Sequence, residues 1–195
     1  GDLIVFDESL KAKPDNWQIF LIDDEYTMRK VVRHQDGIEL ISLNPSMKPL
    51  FVSDGEILES KGVVTHIIKK FANYRNQYGG FPVDADNYVE QGMDYIKYLI
   101  DWWETTFYMW AGGQSMLGDH IKDGDLLVVD TLAEVYDDSI LDFCLNGQHT
   151  LKRHKNYGRS GELHGSNPDF KTIPIAEGDE GAPWGVLTAV IKKMI

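Results

Sequence analysis

The chain has 195 residues, 43% hydrophobic and 26% charged, with a formal net charge of −12. This composition suits a folded globular chain long enough for one full domain and most of a second, and it excludes a disordered tail. The acidic balance and the lack of any Lys/Arg run exclude a nucleic-acid surface, because phosphate contacts need clustered cations.

In chain order, apolar runs of four to eight residues recur between Gly, Asn, Asp and Pro, and predict strands. The first copies are Leu3 to Phe6, Trp17 to Ile22, Ile38 to Leu43 and Val63 to Ile68, with a turn at Asp36-Gly37. Residues 71–82, polar and carrying Gly79-Gly80, predict an exposed connector. Asp94 to Trp103 is apolar at spacings of three and four and predicts a short helix. A strand at Thr106 to Trp110 then leads into Gly113-Gln114-Ser115-Met116. Further strands are predicted at Leu126 to Val129, Ile140 to Leu145 and Val186 to Ile191, and another around Lys152. The lone cysteine, in Phe143-Cys144-Leu145, predicts a buried structural thiol and fits a reducing compartment. No apolar run reaches the roughly 18 residues of a membrane span, and no signal peptide opens the chain, so a cytoplasmic protein without membrane contact is expected. The first residue, Gly1, reads as a processed or trimmed start.

A repeat underlies this list. Gly-Asp-Leu-Ile-Val-Phe-Asp at 1–7 returns as Gly-Asp-Leu-Leu-Val-Val-Asp at 124–130, an offset of 123. Gly62 to Lys70 matches Gly185 to Lys193 at the same offset, as do Asn44-Pro45 with Asn167-Pro168 and Thr27 with Thr150. Aligned without a gap, residues 1–72 and 124–195 agree at 20 of 72 positions, far above chance. The chain therefore reads as a duplicated domain whose first copy begins partway through.

The residues that suggest chemistry are Ser115 and Lys152. A serine hydroxyl is a weak nucleophile until a neighbour takes its proton. A lysine can be that neighbour only when neutral, which requires burial that lowers its pKa. Leu151 and Phe143-Cys144-Leu145 offer an apolar wall, and strand alternation puts Lys152 and Arg153 on opposite faces, so one can point inward while the other stays solvated. Backbone N–H groups in the turn around Ser115, those of Ser115 and Met116, could form an oxyanion hole. In the first copy the position equivalent to Lys152 is Arg29, which stays protonated and cannot act as a base. Lys30 is one residue out of register, hence on the opposite face. The first copy therefore reads as catalytically dead. His34, His66, His149, His154 and His164 have no metal-like spacing, so neither a metal nor another cofactor is expected.

Gly80-Phe81-Pro82, Asn87-Tyr88-Val89-Glu90-Gln91, Gly113-Gln114-Ser115-Met116 and Asp123-Gly124-Asp125-Leu126-Leu127-Val128-Val129-Asp130 together resemble the LexA/UmuD-type self-cleaving Ser-Lys peptidases (S24), and within them the UmuD-type members. The resemblance covers residues 79–195 closely and 1–72 as a partial second copy. It implies a mainly β fold of curved, partly barrel-like antiparallel sheets with the C-terminal half duplicated. It divides the chain into a partial copy at 1–72, a linker at 73–79 and a peptidase domain at 80–195. Carried over by position, Ser115 is the nucleophile, Lys152 the general base, and Gly79–Gly80 the scissile bond before Phe81-Pro82. Gln114 departs from the acidic residue usual before the serine, and Gly79 from the usual Ala or Cys.

The resemblance further implies an SOS-response protein whose self-cleavage is stimulated by a RecA filament, and whose processed form joins a Y-family (UmuC-like) translesion DNA polymerase. A homodimer or an intrachain pseudo-dimer, without direct nucleic-acid contact, goes with it. Two other readings stand beside this one. One is a non-enzymatic scaffold built from a pseudo-dimer of the two copies. The other is the peptidase half of a LexA-like repressor.

Overall fold

Runs such as Ile-Leu-Asp-Phe-Cys-Leu and Leu-Leu-Val-Val-Asp carry β-branched and bulky side chains that fit a pleated surface and crowd a helix. The computed structural model describes residues 2–13, 15–53, 58–71, 104–145, 147–156, 160–175 and 181–195. Among these residues the regular structure is β throughout, apart from one 3-10 turn at Leu117–Asp119. The helix expected at Asp94–Trp103, the linker 73–79 with Gly79–Gly80, and the motifs at 80–82 and 87–91 lie outside the described residues. No helix among the described residues is long and apolar enough to cross a membrane.

The chain divides into two units. Among the described residues, the first runs to Ile68 and takes in Lys192–Ile195, and the second runs from Lys69 to Ile191. The first unit is built on β1 (Leu3–Asp7), β2 (Trp17–Ile22), β3 (Glu25–His34), β4 (Gly37–Ile41), β5 (Leu50–Ser53) and β6 (Ser60–Lys70). All pairings are antiparallel, in the order β1-β6-β2-β3-β4-β5. β2 and β3 form a hairpin closed by Asp23-Asp24, both at positive φ (52° and 63°), the geometry that suits the twist of a two-residue turn. Ile19, Phe20, Leu40, Val63, Val64 and Ile68 are its buried apolar side chains.

The second unit contains β7 (Thr106–Trp110), β8 (Leu126–Asp130), β9 (Ile140–Leu145), β10 (Gln148–Asn156), β11 (Gly161–His164), β12 (Ile173–Ile175) and β13 (Gly181–Lys193). They pair antiparallel in the order β7-β8-β13-β9-β10-β11-β12. Its core gathers Met116, Ile121, Leu127, Val129, Ile140, Leu187 and Val190.

The 123-residue offset seen in the sequence reappears in the elements. β1 maps onto β8 and β2 onto β9 with the same bounds, and β3, β4, β5 and β6 map onto β10, β11, β12 and β13. Register follows too: Arg29 faces Gln18 across β3–β2, and Lys152 faces Leu141, the equivalent of Gln18, across β10–β9. The strands expected at 17–22, 106–110 and 140–145 form with those bounds, whereas β6 and β13 run to 11 and 13 residues. The turn at Asp36-Gly37 lies one residue earlier, at Gln35-Asp36, with Gly37 already paired to His34. Cys144 is half-buried rather than buried, because β9 is less covered at its end than at its middle.

Candidate active site

Between β7 and β8 the chain makes a loop pinned at its base, where Ala111 N donates to Asp125 O (2.8 Å) and Gly124 N donates to Ala111 O (2.9 Å). Inside this loop Met116 is buried in the core, and its carbonyl accepts from both Asp119 N (3.2 Å) and Ile121 N (3.1 Å). Ser115 is thus held by the apolar anchor that follows it in sequence. The segment after β11 holds it from the other side. Asn167 N donates to Ser115 O (3.0 Å), and Asn167 Nδ2 donates to Gln114 O (3.0 Å). This approach is so close that a Cβ at Gly165 would lie 2.8 Å from Ser115 O, and one at Gly118 would lie 2.4 Å from Ser166 O. Only glycine fits there without movement.

Lys152, on β10, points to the same place. It is 6% exposed, and its Nζ donates to Ser115 Oγ (2.8 Å) and to Leu151 O (3.0 Å). The Phe170 ring centroid lies 6.0 Å from Nζ, at the outer limit of a cation–π contact. Among the described residues no carboxylate comes within ion-pair distance of Nζ, and burial pushes the Lys152 ammonium down from the usual lysine range. Both ingredients asked of a neutral amine, low exposure and no counter-ion, are therefore present.

Ser115 also opens onto a cleft of about 310 Å³ lined by Met109, Trp110, Gly113, Ile121, His149 and Leu151, among others. Among the described residues the N–H groups of Ser115 and Met116 have no acceptor in the chain, and they are the donors expected for an oxyanion. The cleft includes a pair that the sequence reading missed. Asp142 Oδ2 lies 2.6 Å from His149 Nδ1, with Asp142 only 2% exposed and the His149 side chain 51% exposed. Burial pushes the Asp142 carboxyl up from the usual carboxylate range, and the His149 hydrogen bond and charge partly offset this. The sequence signal was an aspartate inside the apolar run 140–145, seven residues before a histidine across a hairpin.

Arg153 does not face solvent as alternation alone predicts. Its Nη1 donates to Asp138 O (2.6 Å) and its Nη2 to Asp119 Oδ1 (2.5 Å), so it ties β10 to the turn after Met116. Lys30, by contrast, does lie away from Arg29 and pairs with Asp15 at 2.5 Å. Gly79 and Gly80 lie outside the described residues.

Comparison with known proteins bears on this arrangement. The family model described as Peptidase S24-like matches residues 1–65 and again 74–188, so the match itself is double. The ImpA protein of Salmonella typhimurium is 35% identical over 95 residues, which are 48% of this chain and 66% of that protein. MucA of Escherichia coli is 33% identical over 110 residues, 56% of this chain and 75% of MucA. The LexA repressor of Syntrophotalea carbinolica is 34% identical over 71 residues, 36% of this chain and 35% of the repressor. The chain thus spans just under two thirds of ImpA and about a third of that repressor.

Proposed function

The chain belongs to the Peptidase S24-like family, and from that premise we propose that it cuts its own backbone with Ser115 as nucleophile and Lys152 as general base. The observation that carries this reading is the 2.8 Å separation of the buried Lys152 Nζ from Ser115 Oγ at the edge of the cleft. With its ammonium destabilised by burial, Lys152 gives up a proton to solvent and then accepts the Ser115 hydroxyl proton as Oγ attacks the scissile carbonyl. The oxyanion that forms is met by the N–H groups of Ser115 and Met116. Lys152 returns the proton to the leaving amine, the C–N bond breaks, and an ester to Ser115 remains. Water, deprotonated by Lys152, attacks that ester and frees the acid and the serine.

The bond proposed for cleavage is Gly79–Gly80, which releases residues 80–195. The wider role is that of a UmuD-like SOS-response protein: cleavage stimulated by a RecA filament, and a processed form that partners a Y-family (UmuC-like) DNA polymerase. The test is the mass of the purified protein before and after incubation at alkaline pH. A fragment matching residues 80–195 that is absent from Ser115→Ala is expected, at a rate that increases with pH as Lys152 loses its proton. An unchanged mass, or the same fragment from Ser115→Ala, overturns the reading.

A second reading, a non-enzymatic scaffold made of two like copies, is favoured by one observation. Arg29 occupies the register position of Lys152 in the first unit, where an obligate cation cannot act as base. Intact chain at every pH, with partner binding retained, selects it.

A further inference from the structure

We propose that the first unit carries a carboxylate-binding site, in which Arg29 grips a carboxylate borne by a polypeptide segment. Arg29 is 4% exposed. Its Nε donates to Thr27 Oγ1 (3.0 Å), while its Nη1 is buried with no hydrogen-bond partner. Among the described residues no Asp or Glu lies within ion-pair distance of the guanidinium. A buried, permanently charged group without counter-ion is among the most unfavourable arrangements a core can hold. The same group lines a cavity of about 540 Å³ together with Tyr26, Thr27, Asn44, Met47 and Leu50.

The second unit indicates what kind of ligand this surface suits. There the equivalents of Arg29 and Asn44 are Lys152 and Asn167, and a polypeptide turn is seated on both, through Ser115 Oγ, Ser115 O and Gln114 O. The first unit keeps only part of this cradle: Asn44 N donates to Ser42 Oγ (3.1 Å), and Ser42 stands where the second unit has Gly165. Asn44 Oδ1 accepts from Ser46 N (2.9 Å) just as Asn167 Oδ1 accepts from Asp169 N (3.1 Å). Among the described residues Asn44 Nδ2 has no acceptor. A neutral hydroxyl satisfies a desolvated lysine, but an arginine at that position requires an anion. The guanidinium fork matches a carboxylate in two parallel bonds.

Charge and lining narrow the class. Asp23 and Glu25, both exposed and lining the cavity, repel a phosphate dianion more than a carboxylate monoanion. Met47, Leu50 and Tyr26 offer apolar surface to the body that carries the charge. Nothing in this inference depends on the chemistry at Ser115, so its test uses the full chain carrying Ser115→Ala, in which self-cleavage plays no part.

The probes are N-acetyl-leucine for a chain-end carboxylate, N-acetyl-aspartic acid α-amide for a side-chain carboxylate, N-acetyl-leucinamide as the uncharged control, and inorganic phosphate. Backbone amide shifts in NMR titrations locate the binding, and calorimetry gives the affinity. At least one of the two carboxylates is expected to shift Thr27, Arg29 and Asn44 and to bind about tenfold or more tighter than the amide, in line with a charge-assisted pair. Arg29→Met is expected to weaken that binding by a similar factor and to raise Tm, since it removes the uncompensated charge. Should Arg29→Met not fold, Arg29→Lys keeps the charge without the fork and is expected to weaken binding less. Equal binding of acid and amide, phosphate binding tighter than both carboxylates, or no binding together with a lower Tm for Arg29→Met overturns the proposal. The last result marks a purely structural arginine.

Discussion

Replacing Gly165 by alanine tests how tightly Ser115, the proposed nucleophile, is positioned. The added Cβ would lie 2.8 Å from Ser115 O, about 0.6 Å inside the 3.4 Å at which ordinary contact begins. It would also meet Phe170 Cβ at 3.2 Å and Asn167 O at 3.7 Å. The obstructing atom at 2.8 Å is backbone, held by Asn167 N at 3.0 Å, and cannot rotate away as a side-chain tip does. The serine turn must therefore shift by roughly half an ångström, an overpacking strain of about 1–3 kcal/mol. A shift of that size lengthens the 2.8 Å contact between Ser115 Oγ and Lys152 Nζ. Misplacement on the order of 1 Å costs about 100-fold in rate, so Gly165→Ala is expected to slow self-cleavage about 10- to 100-fold. The assay is loss of intact chain with time at fixed alkaline pH, read by mass spectrometry beside thermal unfolding. Gly112→Ala, where a Cβ meets nothing within 4 Å, controls for stability and leaves Tm unchanged. Wild-type cleavage rate and Tm in Gly165→Ala would refute the claim that this contact places Ser115.

Three further outcomes follow from the same geometry. Lys152→Met abolishes cleavage yet raises Tm near neutral pH, because it removes a buried amine that has no counter-ion among the described residues. The sign of the pH effect agrees: with the folded Lys152 pKa below its unfolded value of about 10.4, the unfolded chain binds more protons between the two, so wild-type stability increases with pH across that window and the Lys152→Met slope is smaller. Thermal unfolding from pH 6 to 10 checks this. His149→Ala removes the one hydrogen-bond partner given to the Asp142 carboxyl among the described residues and destabilises the fold by about 1–3 kcal/mol. The carboxyl is already raised by burial, so its contribution is greatest at low pH and is lost as pH climbs through its folded value, which moves higher still in the variant; urea unfolding between pH 4 and 8 reads this. Arg153→Ala frees Asp119 from its pairing and loosens the turn behind Met116, which is expected to lower Tm and the cleavage rate together.

What the sequence disclosed, it disclosed through period and repetition. Trp17–Ile22 and Ile140–Leu145 were legible because apolar runs bounded by turn residues have few other uses. The β3 strand, Glu-Tyr-Thr-Met-Arg-Lys-Val-Val-Arg-His, stands outside the apolar runs because more than half of it is polar and its place is set by partners on both sides; only the repeat puts Arg29 and Lys30 on a strand. β12, Ile-Pro-Ile, is a three-residue edge whose proline argues against a strand taken alone. At the site, Ser115 and Lys152 could be paired from motif and register, but Asp142–His149 could not. A histidine becomes informative only when folding places a buried acid beside it, and that cross-strand meeting is not a spacing in the chain. Arg153 escaped for a similar reason: alternation assigns a face, whereas the identity of what covers that face comes from a remote turn.

The duplication also separates what the fold imposes from what chemistry selects. Arg29 and Lys152 occupy one register position in two copies, and both are almost fully buried, at 4% and 6% exposure. Burial at that position therefore belongs to the β3/β10 strand and its neighbours, and does not by itself signal an active site. The residue determines the consequence. An amine driven out of water can give up its proton and become a base, with a serine hydroxyl as sufficient partner. A guanidinium at the same depth keeps its charge, so it gains nothing from a hydroxyl and a great deal from an anion. On the two proposals made above, the same desolvation suits one copy to cleaving a peptide and the other to holding one by its carboxylate, and exchanging the two cations tests that division. Lys152→Arg should end cleavage without restoring it elsewhere, and Arg29→Lys should loosen carboxylate binding without creating a second cleaving site, because no described residue brings a serine to Arg29 as Ser115 is brought to Lys152.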